Sequence, residues 1–152
     1  MLQTYTRFMP SATQPKWRVP RENEVKVNFD STFIQQSMRS VSGVICRDDE
    51  GFILAACSLT HLSVRDAFMA EALSCLQAVT FAWELGFTRV VVEGDSRIVI
   101  LKAFTSVTFC FVHRAANMAA HNMSHEGKAF DYPIIGLKKS RLARCLLWRK
   151  ID

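Results

Sequence analysis

"VKVNFDSTF", residues 25–33, alternates apolar and polar side chains: Val25, Val27 and Phe29 point one way, Lys26, Asn28 and Asp30 the other. That period of two is the mark of a β-strand. The strand is expected over roughly 25–31 and ends in an acid, Asp30, followed by the small hydroxyl residue Ser31. A solvated strand end is the ordinary explanation for such a carboxylate. Whether it suffices here depends on what the rest of the chain brings to Asp30.

Around this strand the chain reads as alternating elements. Residues 1–24, with Pro10, Pro15 and Pro20, form an irregular lead-in. "SVSGVICR" (40–47) turns through "RDDEG" into "FILAACSLT" (52–60), an antiparallel meander with Gly51 serving the turn. A long helix spans 64–85 and is closed by Gly86. "TRVVVEGD" (88–95) has the β-branched run of a strand buried on both faces. A helix over 96–104 with Ser96 as its cap, a fifth strand "VTFCFV" (107–112) and a final helix over 115–127 complete the order. This β-β-β-α-β-α-β-α order predicts an α/β fold with a five-stranded mixed sheet, antiparallel at first and then parallel through helical crossovers. Residues 25–127 form the domain and 128–152 a C-terminal extension.

Composition sets outer limits. At 152 residues the chain has a one-domain length. Its apolar runs, "FILAAC" among the longest, fall far short of the ~20 residues that span a bilayer, so no membrane partner is expected. The net charge of +5 is unevenly placed. Residues 1–127 balance 12 basic residues against 12 acids, while 128–152 hold seven basic residues and two acids. "GLKKSRLARCLLWRK" (136–150) reads as a solvated amphipathic helix or a nucleic-acid-binding extension. The cysteines at 46, 57, 75, 110 and 145 show no metal-ligand spacing and read as thiols of a reducing compartment, nucleus or cytoplasm. The first 21 residues carry Arg7, Lys16, Arg18 and Arg21 without an acid, which leaves organelle targeting open.

Three acids stand out by their surroundings. From 67 to 83 the long helix has one charge, Glu71; Met69, Ala72, Leu73, Leu76, Val79 and Trp83 are expected to face the core. Asp95 ends a strand at the edge where open parallel sheets bind ligands, and it also stands where a helix cap would. Burying these carboxylates costs several kcal/mol each unless something compensates them, and clustering makes them repel. A divalent cation resolves both problems, and oxygen ligands select Mg²⁺ or Mn²⁺. Two such ions hydrolyse phosphodiesters. Asp30 thus reads as a metal ligand ending its strand, together with Glu71 and Asp95.

Five tracts in order, "WRVPRENEVKVNFDST" (17–32), "GVICRDDEGFILAA" (43–56), "AEAL" (70–73), "VVVEGDS" (90–96) and "FVHRAANMAAHNMS" (111–124), resemble the plant reverse-transcriptase-like ribonuclease H domain family. The resemblance implies a ribonuclease H-like fold and endonucleolytic cleavage of RNA in RNA–DNA hybrids, leaving a 3′-hydroxyl and a 5′-phosphate. It implies Asp30, Glu71 and Asp95 as catalytic metal ligands, with His121 at the position of a fourth carboxylate. Ser31 and Asn117 are candidates for contact with the 2′-hydroxyl, the group that separates RNA from DNA. The chain departs from the family in Ser31-Thr32, where Gly-Ala is common. It departs again in the eleven residues from 96 to 106, which replace a longer segment with a further helix. One helix is therefore expected to be missing, and a weakly active or inactive ribonuclease H-like nucleic-acid-binding module, mobile-element derived or truncated, is the alternative function. His113, His121 and His125 lack the further ligand a zinc site needs. No protein partner can be inferred from the sequence.

Overall fold

Val25–Ile34 forms β1, the strand on which the architecture is arranged. In this computed structural model, which describes residues 16–95 and 107–137, β1 has a different neighbour on each side. Arg39–Arg47 (β2) pairs with it antiparallel from Lys26↔Arg47 to Ile34↔Arg39. Val90–Gly94 (β4) pairs with it parallel, but only from Val25↔Val90 to Asn28↔Glu93. Beyond Asn28, β1 continues without β4, which leaves a notch in the sheet at Asp30.

The meander and the long helix form as their sequences require. Asp48 Oδ1 accepts from the backbone N–H groups of Glu50 (3.1 Å) and Phe52 (2.8 Å), and Gly51 takes a φ of 88° that a glycine adopts without strain. The chain then returns as β3, Ile53–His61. Ala67–Glu84 (α1) starts at Asp66, whose side chain accepts from Met69 N at 2.7 Å. Gly86 ends it at φ 76°, with Gly86 N donating to Trp83 O and Phe87 N to Ala82 O. Those two bonds make the Schellman arrangement that satisfies the last carbonyls.

The buried face of α1 differs from the one its sequence predicts. Of the six residues expected to face the core, only Val79 is buried; Leu76 and Trp83 are 48% and 66% exposed. The packed face is Ala70, Ser74, Ala78 and Ala82, with Cys75, Val79 and Phe81 beside them. Small residues at every fourth position let the helix axis approach the sheet closely, while Leu76 and Trp83 turn outward. Cys75, Ala78, Val79, Phe81 and Ala82 pack with Val27, Phe29, Val44, Cys46, Cys57 and Val92. Full burial of each apolar side chain of this size contributes roughly 1.5–3 kcal/mol.

The opposite face is covered by Met118–Glu126 (α2), which follows a 3₁₀ turn at Arg114–Ala116. Gly43 of β2 lies beneath it: a Cβ there would collide with the backbone of Ala120 and Ser124. The lead-in joins this face too, since Trp17 Nε1 donates to Asn28 Oδ1 at 2.8 Å and its ring lies under Arg47. The sheet order is β5-β4-β1-β2-β3-β6, where β5 is Val107–Phe111, parallel to β4, and β6 is Ile134–Leu137. β6 corrects the expected five strands to six. It pairs antiparallel with β3, from Ala55↔Leu137 to Ser58↔Ile134, so part of the expected extension belongs to the sheet. The helix expected over 96–104 and the basic tail beyond 137 lie outside the described residues. Among the described residues, no helix is long and apolar enough to cross a membrane.

Gly43→Ala should lift α2 from the sheet and cost about 1–3 kcal/mol of stability, the usual range for overpacking. Urea unfolding checks it; a midpoint equal to wild type would mean that α2 is not seated on Gly43.

Candidate active site

The notch beside β1 collects the three acids. Asp30 is on the α2 side of the strand and has no exposed surface. Its successor Ser31 turns to the α1 side and its hydroxyl donates to Glu71 Oε1. Asp95 follows β4 directly, at the C-terminal end of a strand parallel to β1. One carboxylate oxygen from each of Asp30, Glu71 and Asp95 lies within 4.8 Å of the others.

Asp30 and Glu71 each have one oxygen engaged and one left over. His121 Nδ1 donates to Asp30 Oδ2 at 2.6 Å, and Ser124 Oγ lies 3.4 Å from the same oxygen. Asp30 Oδ1 and Glu71 Oε2 are buried and have no hydrogen-bond partner among the described residues. A buried, unpaired carboxylate oxygen is costly. Burial, opposed by the His121 bond and reinforced by the charge of Asp95, raises the Asp30 pKa above the usual carboxylate range. Burial also pushes Glu71 up to about 7, against the Ser31 bond and with the charges of Asp30 and Asp95 adding to the rise. Three carboxylates this close, two of them with a buried unpaired oxygen, fit a divalent cation of the Mg²⁺ or Mn²⁺ type.

The backbone under Asp30 is clamped from both faces. Ser74 of α1 donates to the Asp30 carbonyl at 2.6 Å. From the other side, Asn117 Nδ2 donates to the Phe29 carbonyl at 2.7 Å. Asn117 occupies the N-cap position of α2 and yet makes no side-chain cap there. A cap is typically worth ~1 kcal/mol; here the amide reaches across to β1 instead. Its Oδ1 accepts from Asn28 Nδ2 (3.2 Å), and Asn28 also donates to Glu93 Oε2, whose other oxygen pairs with Lys26 at 2.7 Å.

Two of the expected site residues stand in different surroundings. Asn117, expected at the substrate, is 1% exposed and bonded inside the protein at both ends of its amide. His121, expected beside the acids, is hydrogen-bonded to Asp30 directly. Sequence reasoning overlooked Ser124, Ser74 and Arg114, whose Nε donates to Asp95 Oδ2 at 2.9 Å. Ser124 and Ser74 were accessible to it, each standing three residues after a singled-out residue on the same helix.

Residues 28–102 match the family model described as reverse transcriptase-like. Three solved ribonuclease H structures align over 94% or more of their own length. The ribonuclease H1 of the halophilic archaeon Halobacterium salinarum superposes with a TM-score of 0.62 at 18% identity, covering 70% of this chain and 98% of that one. The N-terminal ribonuclease H domain of a Mycobacterium tuberculosis protein gives 0.60 at 17% identity, covering 70% and 94%. The fold is that of ribonuclease H. A compost-derived ribonuclease H1 aligns similarly, with a TM-score of 0.56 at 19% identity over 70% of this chain and 98% of that chain. No curated protein matches the chain. Within the ribonuclease H-like fold, the described residues bring Asp30, Glu71, Asp95, Ser31 and His121 to one notch and place Asn117 beneath it.

The raised carboxyl pKa values make a stability prediction. A carboxyl whose pKa in the folded chain lies above its unfolded value holds extra protons between the two. Folding stability of the metal-free protein therefore falls as pH rises from about 4.5 toward 7. Glu71→Gln should flatten that fall in melting temperature, and a slope identical to wild type would remove Glu71 from the effect.

Proposed function

We propose that this chain is a metal-dependent endonuclease that hydrolyses the RNA strand of RNA–DNA hybrids. The observation that carries the reading is the convergence of Asp30, Glu71 and Asp95 with two buried oxygens free. Asp30 Oδ1, Glu71 Oε2 and an oxygen of Asp95 would hold Mg²⁺ or Mn²⁺. Bound there, the metal supplies positive charge that acidifies the attacking water and stabilises the reacting phosphate.

The chain's own groups prepare that site. His121 and Ser124 engage one oxygen of Asp30 and leave the other unpaired for a metal. Ser31 orients Glu71 by its donated bond and keeps acceptor capacity on its oxygen for a 2′-hydroxyl. Ser74 and Asn117 fix the strand backbone from which Asp30 projects. Free thiols at Cys46, Cys57, Cys75 and Cys110 support a reducing compartment, nucleus or cytoplasm.

A second reading, a weakly active or inactive nucleic-acid-binding module, is favoured by one feature. His121 offers nitrogen where a further carboxylate would help hold Mg²⁺, and its ring is already engaged with Asp30. Mg²⁺ strongly prefers oxygen, whereas Mn²⁺ tolerates imidazole.

A labelled RNA–DNA hybrid incubated with Mg²⁺, Mn²⁺ or chelator separates the readings. The expected result is cleavage stronger in Mn²⁺ than in Mg²⁺ and none in chelator. Asp30→Asn should lower the rate roughly 10²-fold or more with the fold intact, a loss typical of removing one preorganised electrostatic group. His121→Asp should raise Mg²⁺-supported cleavage. No cleavage with either ion, by protein that still binds the hybrid, would establish the second reading.

A further inference from the structure

Arg114 opens the 3₁₀ turn after β5, and its side chain is 57% exposed while that of its partner Asp95 is only 12% exposed. The bond to Asp95 Oδ2 uses Nε. Among the described residues its two Nη groups have no hydrogen-bond partner. Its pKa is raised above that of an ordinary arginine: partial burial works against the rise, but the charge of Asp95 and the bond to it, then the charges of Asp30 and Glu71, outweigh it. The other nearby cation, Lys26, is committed to Glu93 and the Arg18 carbonyl. One guanidinium thus bonds Asp95 and acts by its charge on Asp30 and Glu71.

We propose that Arg114 is the resident counter-ion of this cluster: it holds Asp95 in the metal-free protein, weakens divalent-cation binding, and offers its Nη groups to a substrate phosphate. The first half follows from charge alone. A permanent cation beside the acids lowers the attraction they exert on a second cation, and the low exposure of Asp95 and Asp30 limits screening by salt. The second half follows from geometry. With Nε fixed to Asp95, the guanidinium plane is set, and its exposed Nη end can engage two oxygens of a phosphate at once. This half rests on the nuclease reading; the metal half does not.

The test uses the full chain as wild type, Arg114→Gln and Arg114→Lys. Mn²⁺ is titrated without nucleic acid, following free Mn²⁺ by electron paramagnetic resonance. Arg114→Gln should bind Mn²⁺ tighter by roughly 3- to 10-fold, because a unit of repulsion has gone. Arg114→Lys, which keeps the charge, should stay near wild type. A group that only braced the site would weaken metal binding when removed, which is the opposite sign. Unchanged or weaker Mn²⁺ binding by folded Arg114→Gln overturns the counter-ion. Should that variant fail to fold, tighter binding by Arg114→Met would support the proposal and wild-type or weaker binding would overturn it.

An RNA–DNA hybrid is then bound in Ca²⁺ across a salt series. Arg114→Gln should reduce the slope of log affinity against log salt by about one, and Arg114→Lys should bind more weakly than wild type with the slope kept. An unaltered slope in Arg114→Gln overturns the phosphate contact. If wild type takes Mn²⁺ but no hybrid, the nuclease reading and the phosphate contact fall together. The Mn²⁺ comparison still judges the counter-ion.

Discussion

A carboxylate with no exposed surface in the middle of a β-sheet has to be compensated from its surroundings, and at Asp30 that compensation determines where both helices sit. From α2 come His121 and Ser124, directed at one oxygen. They reach it only because Gly43, opposite Asp30 on β2, leaves room for the helix backbone. From α1 comes Ser74, and from the N-cap of α2 comes Asn117, each bonding a carbonyl of β1 rather than the carboxylate. The strand is thereby held at two successive peptide units, from opposite faces of the sheet.

The same constraint brings Glu71 to the site. A helix faced with Ala70, Ser74, Ala78 and Ala82 can lie close to the sheet, and one facing it with Leu or Phe would stand farther off. Close approach places Glu71 within reach of Ser31. The early end of the β1–β4 pairing completes the arrangement, since it opens the sheet where Asp95 leaves β4. Alternation along one strand thus sends Asp30 toward α2 and Ser31 toward α1, while the acids meet at the notch.

Much of this was legible in the sequence, because the signals were local. Period-two alternation marked β1, Asp-Asp-Glu-Gly marked the hairpin turn, and Gly86 marked the end of α1. The acids stood out as lone charges in apolar elements. What escaped was non-local. The buried face of α1 differs from the expected one because the helix has no polar stripe to mark its outside: a row of small residues with Val79 and Phe81 packs, while Leu76 and Trp83 do not. β6 is four residues long, contains Gly136, and has meaning only through its pairing with β3. Asn117 stood out as a candidate for substrate contact, but its spacing to His121 could not say that its amide points into the strand.

The core between α1 and the sheet includes three thiols, Cys46, Cys57 and Cys75, each at most 3% exposed. Burial raises the pKa of all three, to about 12 for Cys57 and Cys75, so the reactive thiolate is essentially absent while the sheet is closed. An alkylating reagent therefore has to wait for the structure to open, and its rate of labelling becomes a clock for that opening. Oxidation would act in the other direction. A sulfinic or sulfonic group formed during such an opening would be too large and too polar to return to a site between packed β-branched side chains. Each oxidised molecule would then be trapped outside the native fold, which couples the lifetime of this domain to the redox state of its surroundings.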